Sequence, residues 1–175
     1  MSSPQEKEVT FSRDELIISK TDLQGKITYA NRTFMKVSNY SELHLLNQNH
    51  NIIRHPSMPR GVFYGLWSTL KAGEEFFGFV KNYTADKDYY WVFANITPDI
   101  TNGKVVGYYS VRRTPSKEAI SLVIKLYEKM LENERHFDRK SAPEASWKWL
   151  IESIEKEHNQ SYEEFALGLY KQFQS

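Results

Sequence analysis

Four side chains suited to holding a ligand fall close together in residues 50–73, HNIIRHPSMPRGVFYGLWSTLKAG. Arg54 and His55 place a fork-shaped cation beside an imidazole just before a proline-bounded helix start, a pair that can bind phosphate or ribityl oxygens. Phe63 and Trp67 follow at i, i+4 spacing and offer flat apolar surfaces on which a tricyclic ring or an adenine can stack. The alternatives are solvated surface positions for Arg54 and His55, and ordinary core packing for Phe63 and Trp67.

A further candidate is an amide on a predicted strand. Residues 76–83 have the sequence FFGFVKNY, and strand alternation places Asn82 on one face with Phe76, Gly78 and Val80. An amide at the end of an apolar row is costly to bury without a partner. It can both donate to and accept from a ring edge that alternates carbonyl and N–H groups, such as the pyrimidine edge of an isoalloxazine. Asn82 is therefore the strongest polar ligand candidate, and the alternative is an amide that caps its own strand end.

The sequence contains no motif of a familiar enzyme class. It lacks GxSxG, Walker and GxGxxG patterns, and its histidines show neither HExxH nor another metal-ligand spacing. It has no cysteine, which removes disulfides, thiol catalysis and cysteine metal ligands. Paired acids such as Glu74 with Glu75 are interpreted as solvated faces. We therefore predict no catalytic residues, no metal site and a protein that is not an enzyme.

Composition is typical of one small soluble domain with an appendage. The 175 residues can bury one core of ordinary size, and a formal net charge of +1 gives no field that would attract nucleic acid or an anionic membrane. No apolar run approaches the ~20 residues of a membrane span. The N-terminal sequence is too polar for a signal peptide. These features predict a cytoplasmic protein that neither binds nucleic acid nor inserts into a membrane.

Hydrophobic periodicity divides the chain into three parts. Residues 1–15 form a polar N-terminal segment that is expected to be mobile, apart from local packing by Val9 and Phe11. Residues 16–115 contain a two-stranded hairpin, short helices and three strands rich in aromatic and β-branched residues, which predicts an α+β domain with one antiparallel sheet. Residues 116–175 form an amphipathic helical tail.

Helix boundaries in these parts have local signals. Asn31 is an N-cap candidate for the short helix that follows it, and Pro59 precedes a predicted helix over residues 61–72. The tail contains three amphipathic helices, of which the last begins with a capping box from Ser161 to Glu164. The tail helices either pack on the domain and on each other or dock a partner.

Separated blocks of the sequence, including DLQGKITYANRTF, residues 50–73 and FVKNYTADKDYYWVFANITP, resemble the flavin-binding PAS domain of bacterial aerotaxis receptors. The resemblance covers residues 16–115 and implies a PAS fold, which is a five-stranded antiparallel sheet with short helices on one face, followed here by a helical C-terminal extension. It also implies that FAD is bound noncovalently. The cofactor-binding residues that it implies are Asn31, Arg54, His55, Phe63, Trp67, Phe76 and Asn82.

This sequence departs from the family pattern at a few positions. Ser57 stands where many members have Asp, which removes a charge partner for Arg54, and Phe76 replaces a common Trp and so lacks the indole donor. The NYT sequence of residues 82–84 is also similar to the flavin light sensors of the PAS superfamily. Those sensors need a cysteine, which is absent here, and a second amide where this chain has Val92. A cysteine photocycle is therefore excluded.

The resemblance implies a redox sensor for energy taxis that acts as a homodimer. Flavin reduction changes the hydrogen-bonding edge of the ring, and the sheet can transmit the resulting rearrangement to an outer apolar face with Trp91, Phe93 and Asn95, unless the tail covers that face. A full aerotaxis receptor continues into a membrane anchor and a coiled coil, so this chain is expected to signal to a separate chemotaxis transducer. Three alternatives stay open: a haem-binding PAS gas sensor with His50 or His55 as axial ligand, a cofactor-free PAS docking module, and a small flavoprotein oxidoreductase.

Overall fold

The computed structural model describes residues 5–174, which contain five strands, six α-helices and one short 3₁₀ helix. The strands are β1 (Ile17–Asp22), β2 (Ile27–Ala30), β3 (Phe76–Tyr83), β4 (Tyr89–Thr101) and β5 (Lys104–Arg113). The helices are α1 (Arg32–Ser38), α2 (Glu42–Leu45), α3 (Arg60–Lys71), α4 (Lys117–Glu134), α5 (Ala142–His158) and α6 (Tyr162–Gln172), and the 3₁₀ helix is His50–Ile53.

All five strands form one sheet in the order β2-β1-β5-β4-β3, with β1 and β5 side by side. The pairs β1–β2, β1–β5 and β4–β5 are antiparallel. Ser19 lies opposite Ser110, and Ala94 lies opposite Arg112, so the two members of each pair point to the same face. The predicted α+β class, with a five-stranded antiparallel sheet and a helical C-terminal part, is confirmed.

Tertiary contacts group the chain into two compact units, and neither is continuous in sequence. The first comprises the chain up to Pro56 together with residues 80–114, and the second comprises residues 57–79 together with the chain from Pro115 onward. The predicted domain of residues 16–115 stays a prediction, and in this grouping α3 and the start of β3 belong with the C-terminal helices. The reason is the close packing of α3 against α5 within the second unit.

In the first unit, Asn31 fastens α1 to β1. Its Oδ1 accepts hydrogen bonds from the backbone N–H groups of Phe34 and Ile18, both at 3.0 Å, and its Nδ2 donates to the carbonyl of Leu16 at 2.8 Å. The predicted N-cap is therefore confirmed. The largest apolar side chains that are fully buried in this unit are Ile17, Ile27, Phe34, Leu45, Ile53 and Val92.

Residues 7–9 of the N-terminal segment pair with the first residue of β4. The N–H of Tyr89 donates to the carbonyl of Lys7 at 3.0 Å, and the N–H of Val9 donates to the carbonyl of Tyr89 at 2.7 Å. The N–H of Lys7 also donates to Asp88 Oδ1 at 2.9 Å. The segment is thus held at residues 7–9 by backbone hydrogen bonds, whereas its polarity alone led us to expect mobility.

In the second unit, α5 packs on α3 and α4, and α6 packs on α5. Gly61 and Gly65 allow the close approach of α3 and α5. A Cβ atom at Gly61 would lie 2.0 Å from Ser146 Oγ, and one at Gly65 would lie 2.4 Å from the ring of Trp147. No side chain larger than hydrogen fits at these two positions unless the helices separate.

The three amphipathic helices predicted after residue 115 are confirmed as α4, α5 and α6, which we call the tail helices. The predicted capping box is present at the start of α6, where the Ser161 side chain accepts from Glu164 N–H and the Glu164 side chain accepts from Ser161 N–H. Over residues 5–174, none of the helices is both long enough and apolar enough to cross a membrane.

Candidate functional site

One face of the sheet in the first unit is polar at positions where a protein core is usually apolar. Register and strand alternation place side chains of β1, β5 and β4 together on this face, which we call the inner face. Ser19 is fully buried, and Ser110 and Arg112 are nearly so. The polar side chains of the inner face are Ser19, Thr21, Tyr90, Ser110 and Arg112.

Several polar atoms of this face are buried without a hydrogen bond. Within the described chain, these atoms are Thr21 Oγ1, Tyr90 Oη, Ser110 Oγ and Arg112 Nε. A buried polar group without a partner costs about 1–3 kcal/mol, and native proteins contain few of them. Four on one face indicate a surface suited to binding a molecule that brings its own donors and acceptors.

Arg112 is the most unusual member of the inner face. Only 2% of the residue is exposed, and its Nη2 donates to Ser19 Oγ at 2.6 Å while its Nη1 donates to His50 Nε2 at 3.3 Å. The guanidinium carbon also lies 4.4 Å from the centroid of the Phe34 ring. No carboxylate among residues 5–174 forms an ion pair with it, and burial lowers the pKa of Arg112 to about 10. The group stays cationic at neutral pH, and a buried cation without a counter-charge is costly.

His50 supports Arg112 without neutralising its charge. Desolvation, followed by the charge of Arg112, lowers the pKa of His50 from 6.5 to about 3, so the ring is neutral at physiological pH. Because Arg112 can only donate, His50 Nε2 is the acceptor, and the ring proton is on Nδ1. Ser19 Oγ lies 3.0 Å from the same Nε2, where its hydroxyl can donate. The lone pair of His50 Nε2 already accepts hydrogen bonds, which argues against the alternative in which His50 is a haem ligand.

Tyr90 and Asn82 add two neutral polar groups in the first unit. Tyr90 is fully buried, and Asn82 is 4% exposed. Burial raises the pKa of Tyr90, and the charge of Arg112 opposes the shift, so the phenol stays protonated. The backbone of Asn82 pairs with Arg54 in an antiparallel bridge. The amide predicted from the sequence is therefore buried inside strand β3, one residue before its end.

His55 lies in a cluster that includes the N-terminal segment. Its Nε2 is 3.0 Å from Glu6 Oε2, the Tyr83 hydroxyl donates to Glu6 Oε1 at 2.5 Å, and Lys81 Nζ is 4.0 Å from Glu6 Oε2. The rings of His55 and Tyr83 are tilted at 52° to each other, with centroids 4.2 Å apart. Hydrogen bonds from Tyr83 and His55 lower the pKa of Glu6. Strand alternation places Lys81 and Tyr83 on the side of β3 opposite Asn82. The ribityl or phosphate role predicted for His55 stays a prediction.

The other predicted site residues are divided between the two units. Asn31 and Arg54 belong to the first unit, where the Asn31 amide is committed to the cap described above. Phe63 and Trp67 are half-buried on α3, one helical turn apart. Phe76 is 1% exposed, and its ring is 5.7 Å from that of Tyr162 and 6.5 Å from that of Trp147. Phe76 thus packs among aromatic side chains of the tail helices.

The outer face, which the sequence analysis proposed as an output surface, is covered in the single chain. Trp91 is 8% exposed and Phe93 is 5% exposed. Asn95, on the same side of β4, is partly buried, and its Nδ2 makes no hydrogen bond. These residues therefore do not form an open docking patch.

Arg112, Ser19 and Tyr90 were not predicted from the sequence as site residues. Alternation along β5 contained a usable signal, because Arg112 has the parity of Ser110 whereas Arg113 has the opposite one. Two adjacent arginines at the end of a strand are typical of a solvated strand end, and for this reason the burial of Arg112 was not predicted.

A family model described as the PAS fold matches residues 27–112. The aerotaxis receptor of Escherichia coli (strain K12) is 46% identical over 114 residues, which cover 65% of this chain and 22% of the receptor. The nitrogen fixation regulatory protein of Klebsiella pneumoniae is 34% identical over 97 residues, which cover 55% of this chain and 20% of that protein. This chain therefore spans about a fifth of the length of these curated relatives.

Solved structures with a similar fold include light-oxygen-voltage (LOV) domains. A LOV domain studied with a flavin analogue is 22% identical with a TM-score of 0.56, covering 65% of this chain and 86% of that one. The dark structure of the blue-light photoreceptor Aureochrome1 LOV is 21% identical with a TM-score of 0.56, covering 67% of this chain and 85% of that one. At these identities the similarity is one of fold.

Proposed function

Because residues 27–112 form a PAS domain, we propose that this chain is a redox or energy sensor that binds FAD noncovalently and signals by protein contact to a chemotaxis transducer. The observation that carries the proposal is the buried, unpaired cation of Arg112 among polar atoms that lack partners. The similarity to an aerotaxis receptor supports the taxis part of the proposal.

The polar groups of the inner face fit the edge of an isoalloxazine ring. Arg112 can only donate and suits carbonyl oxygens, while the hydroxyls of Tyr90 and Ser110 can donate or accept. The Asn82 amide does both. A bound flavin supplies an electron-accepting ring whose hydrogen-bonding edge changes on reduction. Phe63 and Trp67 stay predicted stacking surfaces on α3.

The residues of this face, with His50 and Asn82, have distinct roles in such a sensor. The charge of Arg112 favours added negative charge on a bound ring, so it raises the reduction potential of the ligand. The neutral His50 and the Ser19 hydroxyl fix the guanidinium in place and leave its charge available. The Asn82 amide can follow a change from acceptor to donor by rotating about its own side chain.

An absorbance spectrum of the gently purified protein tests the cofactor, combined with mass analysis of the released molecule. We expect flavin bands and the mass of FAD. A Soret band would favour a haem sensor, and a colourless protein that takes up no flavin on reconstitution would favour a docking module. Turnover of a reduced nicotinamide with an acceptor would instead indicate a flavoprotein oxidoreductase.

The signalling part needs a separate measurement. We expect a homodimer by light scattering, and binding to a chemotaxis transducer that differs between the oxidised and the reduced protein. Equal binding in the two states, for a protein that carries flavin, would contradict signalling by redox-dependent contact and leave the cofactor proposal intact.

A further inference from the structure

The N-terminal segment contains a carboxylate, Glu6, that is bound by side chains far from it in sequence. Its Oε1 accepts from the Tyr83 hydroxyl at 2.5 Å, and its Oε2 lies 3.0 Å from His55 Nε2 and 4.0 Å from Lys81 Nζ. The His55 and Tyr83 partners are 49 and 77 residues away along the chain. An exposed acid on a polar segment usually has no such set of partners, so Glu6 has a defined position in the fold.

Backbone hydrogen bonds fix the segment immediately after Glu6. The carbonyl of Lys7 accepts from the N–H of Tyr89 at 3.0 Å, and the N–H of Val9 donates to the carbonyl of Tyr89 at 2.7 Å. The N–H of Lys7 also donates to Asp88 Oδ1 at 2.9 Å. The Glu6 carboxylate is therefore presented from a main chain that is itself attached to the first residue of β4.

Glu6 determines the tautomer and the orientation of the His55 ring. Burial, assisted by the charge of Lys81, lowers the pKa of His55 from 6.5, so the ring is neutral at pH 7. A carboxylate can only accept, so the ring proton is on Nε2 and Nδ1 is the acceptor nitrogen. The ring is also enclosed by two aromatic side chains, with its centroid 4.2 Å from that of Tyr83 and 6.4 Å from that of Tyr89. A hydrogen bond and two ring contacts together allow the imidazole one orientation.

The backbone of residues 54–55 connects this ring to the candidate ligand site. The N–H of His55 donates to the carbonyl of Lys81 at 3.3 Å, and Arg54 pairs with Asn82 in an antiparallel bridge. Residues 54–55 therefore run beside the last residues of β3, where the Asn82 amide is buried. A displacement of His55 moves the backbone of Arg54 as well, and with it the spacing between two predicted ligand residues.

We propose that Glu6 is a positioning residue for the ligand site, because it holds His55 and, through the backbone of residues 54–55, holds Arg54 beside Asn82. This role rests on the proposed function, since it names a residue that supports the proposed flavin site. Glu6 acts through His55 and needs no contact with the ligand. Side chains that are already fixed lose less conformational entropy when a ligand binds, so a supporting hydrogen bond increases affinity from a distance.

The dissociation rate of flavin from the full chain, followed by the fluorescence of the released molecule, tests this role. Glu6→Gln keeps the size of the side chain but leaves one acceptor oxygen for the two donors, Tyr83 and His55. We expect flavin to dissociate about threefold to tenfold faster, as for the loss of one hydrogen bond. Glu8→Gln is the matched control, because it removes the same charge from an exposed position of the same segment, and it should show the wild-type rate.

Two further readouts separate positioning from a general loss of stability. In a chain that carries Arg54→Met, Glu6→Gln should add little to the dissociation rate, because the side chain that it positions is gone, whereas independent effects would multiply. Imidazole ¹⁵N spectra of the apoprotein should show His55 protonated on Nε2 in the wild type. In Glu6→Gln they should show both tautomers, because a glutamine amide presents either its oxygen or its N–H₂ group to the ring.

The outcomes distinguish this role from the proposed function. Equal dissociation rates for Glu6→Gln and Glu8→Gln in flavin-loaded protein would overturn the positioning role alone, and so would an unchanged His55 tautomer or rates that multiply in the double variant. A wild-type chain without flavin bands, even after reconstitution, would overturn the proposed function and the positioning role together.

Discussion

The interiors of the two units are filled in different ways. In the first, a buried guanidinium has no carboxylate partner among the described residues, and hydroxyls of Thr21, Tyr90 and Ser110 make no hydrogen bond. In the second, the buried polar groups that anchor the packing are bonded within the chain, as with Tyr127 to the carbonyl of Phe79 and Ser146 to Glu134.

The difference is one of degree, because among the described residues the second unit also buries two side-chain atoms without a hydrogen bond, Asn133 Oδ1 and Gln174 Nε2. The second unit has no room for an added methyl at its glycine contacts, and its anchoring groups have partners. The first unit retains unmatched donors and a charge, which cost free energy unless another molecule matches them. A binding site can therefore be located by what the protein leaves unsatisfied as well as by its shape.

The largest expected effect is an acid sensitivity of the first interior. The folded-state pKa of His50 is about 3, below its ordinary value of 6.5, so the unfolded chain takes up the proton first as pH falls. The stabilisation is complete above pH 6.5 and is lost progressively toward pH 3, by about 1.4 kcal/mol per pH unit for this group. Denaturant unfolding of the apoprotein at several pH values measures the slope.

His50→Gln should remove this slope, whereas His44→Gln should retain it, because His44 is exposed and its ring bonds the hydroxyl of Ser41. An unchanged slope in His50→Gln would mean that His50 is solvated, and the contrast between the two interiors would lose its clearest example.

Arg112→Met tests whether the guanidinium of Arg112 binds the ligand. We expect flavin affinity to fall by about 1.5–3 kcal/mol, the range for hydrogen bonds to charged groups. The apoprotein should be no less stable, because an uncompensated buried charge is replaced by an apolar chain of similar length while Ser19 and His50 still bond each other. Affinity by flavin fluorescence titration and stability by apoprotein melting distinguish the two effects.

Arg113→Met is the matched control, since Arg113 is the next residue along β5 and pairs with Phe93 on the other face. If both variants bind flavin equally, Arg112 is a structural residue, and the unmatched groups need another explanation.

Gly61→Ala tests how full the second interior is. A methyl at this position would stand 2.0 Å from Ser146 Oγ, and overpacking of this kind costs about 1–3 kcal/mol in the free energy of unfolding. Gly168→Ala should instead gain up to about 1 kcal/mol from helix propensity alone. Equal melting temperatures for these two variants would show that α5 moves aside freely.

The smallest effect is expected for Tyr127→Phe. The substitution keeps the ring and removes the hydrogen bond to the carbonyl of Phe79, so the unfolding free energy should fall by about 0.5–1.5 kcal/mol. Tyr64→Phe, on the exposed side of α3, should change it little. An equal loss in the two variants would show that the hydrogen bond from Tyr127 to the carbonyl of Phe79 does not stabilise the fold.

Elements set by short-range rules were predictable from the sequence. The cap at Asn31 and the capping box at Ser161 depend on groups within three residues, and both are confirmed. The burial of Asn82 follows from the two-residue period of a strand, which needs no tertiary information. The five-stranded sheet followed from the strand pattern and the family resemblance together.

The candidate site was less predictable because its contacts span long distances in sequence. Ser19, His50 and Arg112 come from β1, the 3₁₀ helix and β5, and no spacing rule connects them. Phe76 has the parity expected of it, but its ring packs against Trp147 and Tyr162, which follow it by more than 70 residues. A local pattern states which way a side chain points and does not state what it meets.

The sequence by itself determined which residues alternate, which helices begin where, and which enzyme motifs are missing, because these depend on neighbours along the chain. Only the tertiary structure decided that Arg112 is buried without a counter-charge, that Glu134 caps α3, and that the tail helices pack on α3 and on the first residues of β3. Those facts depend on which distant strands and helices become neighbours. That choice minimises the free energy of the whole chain and not of any one segment.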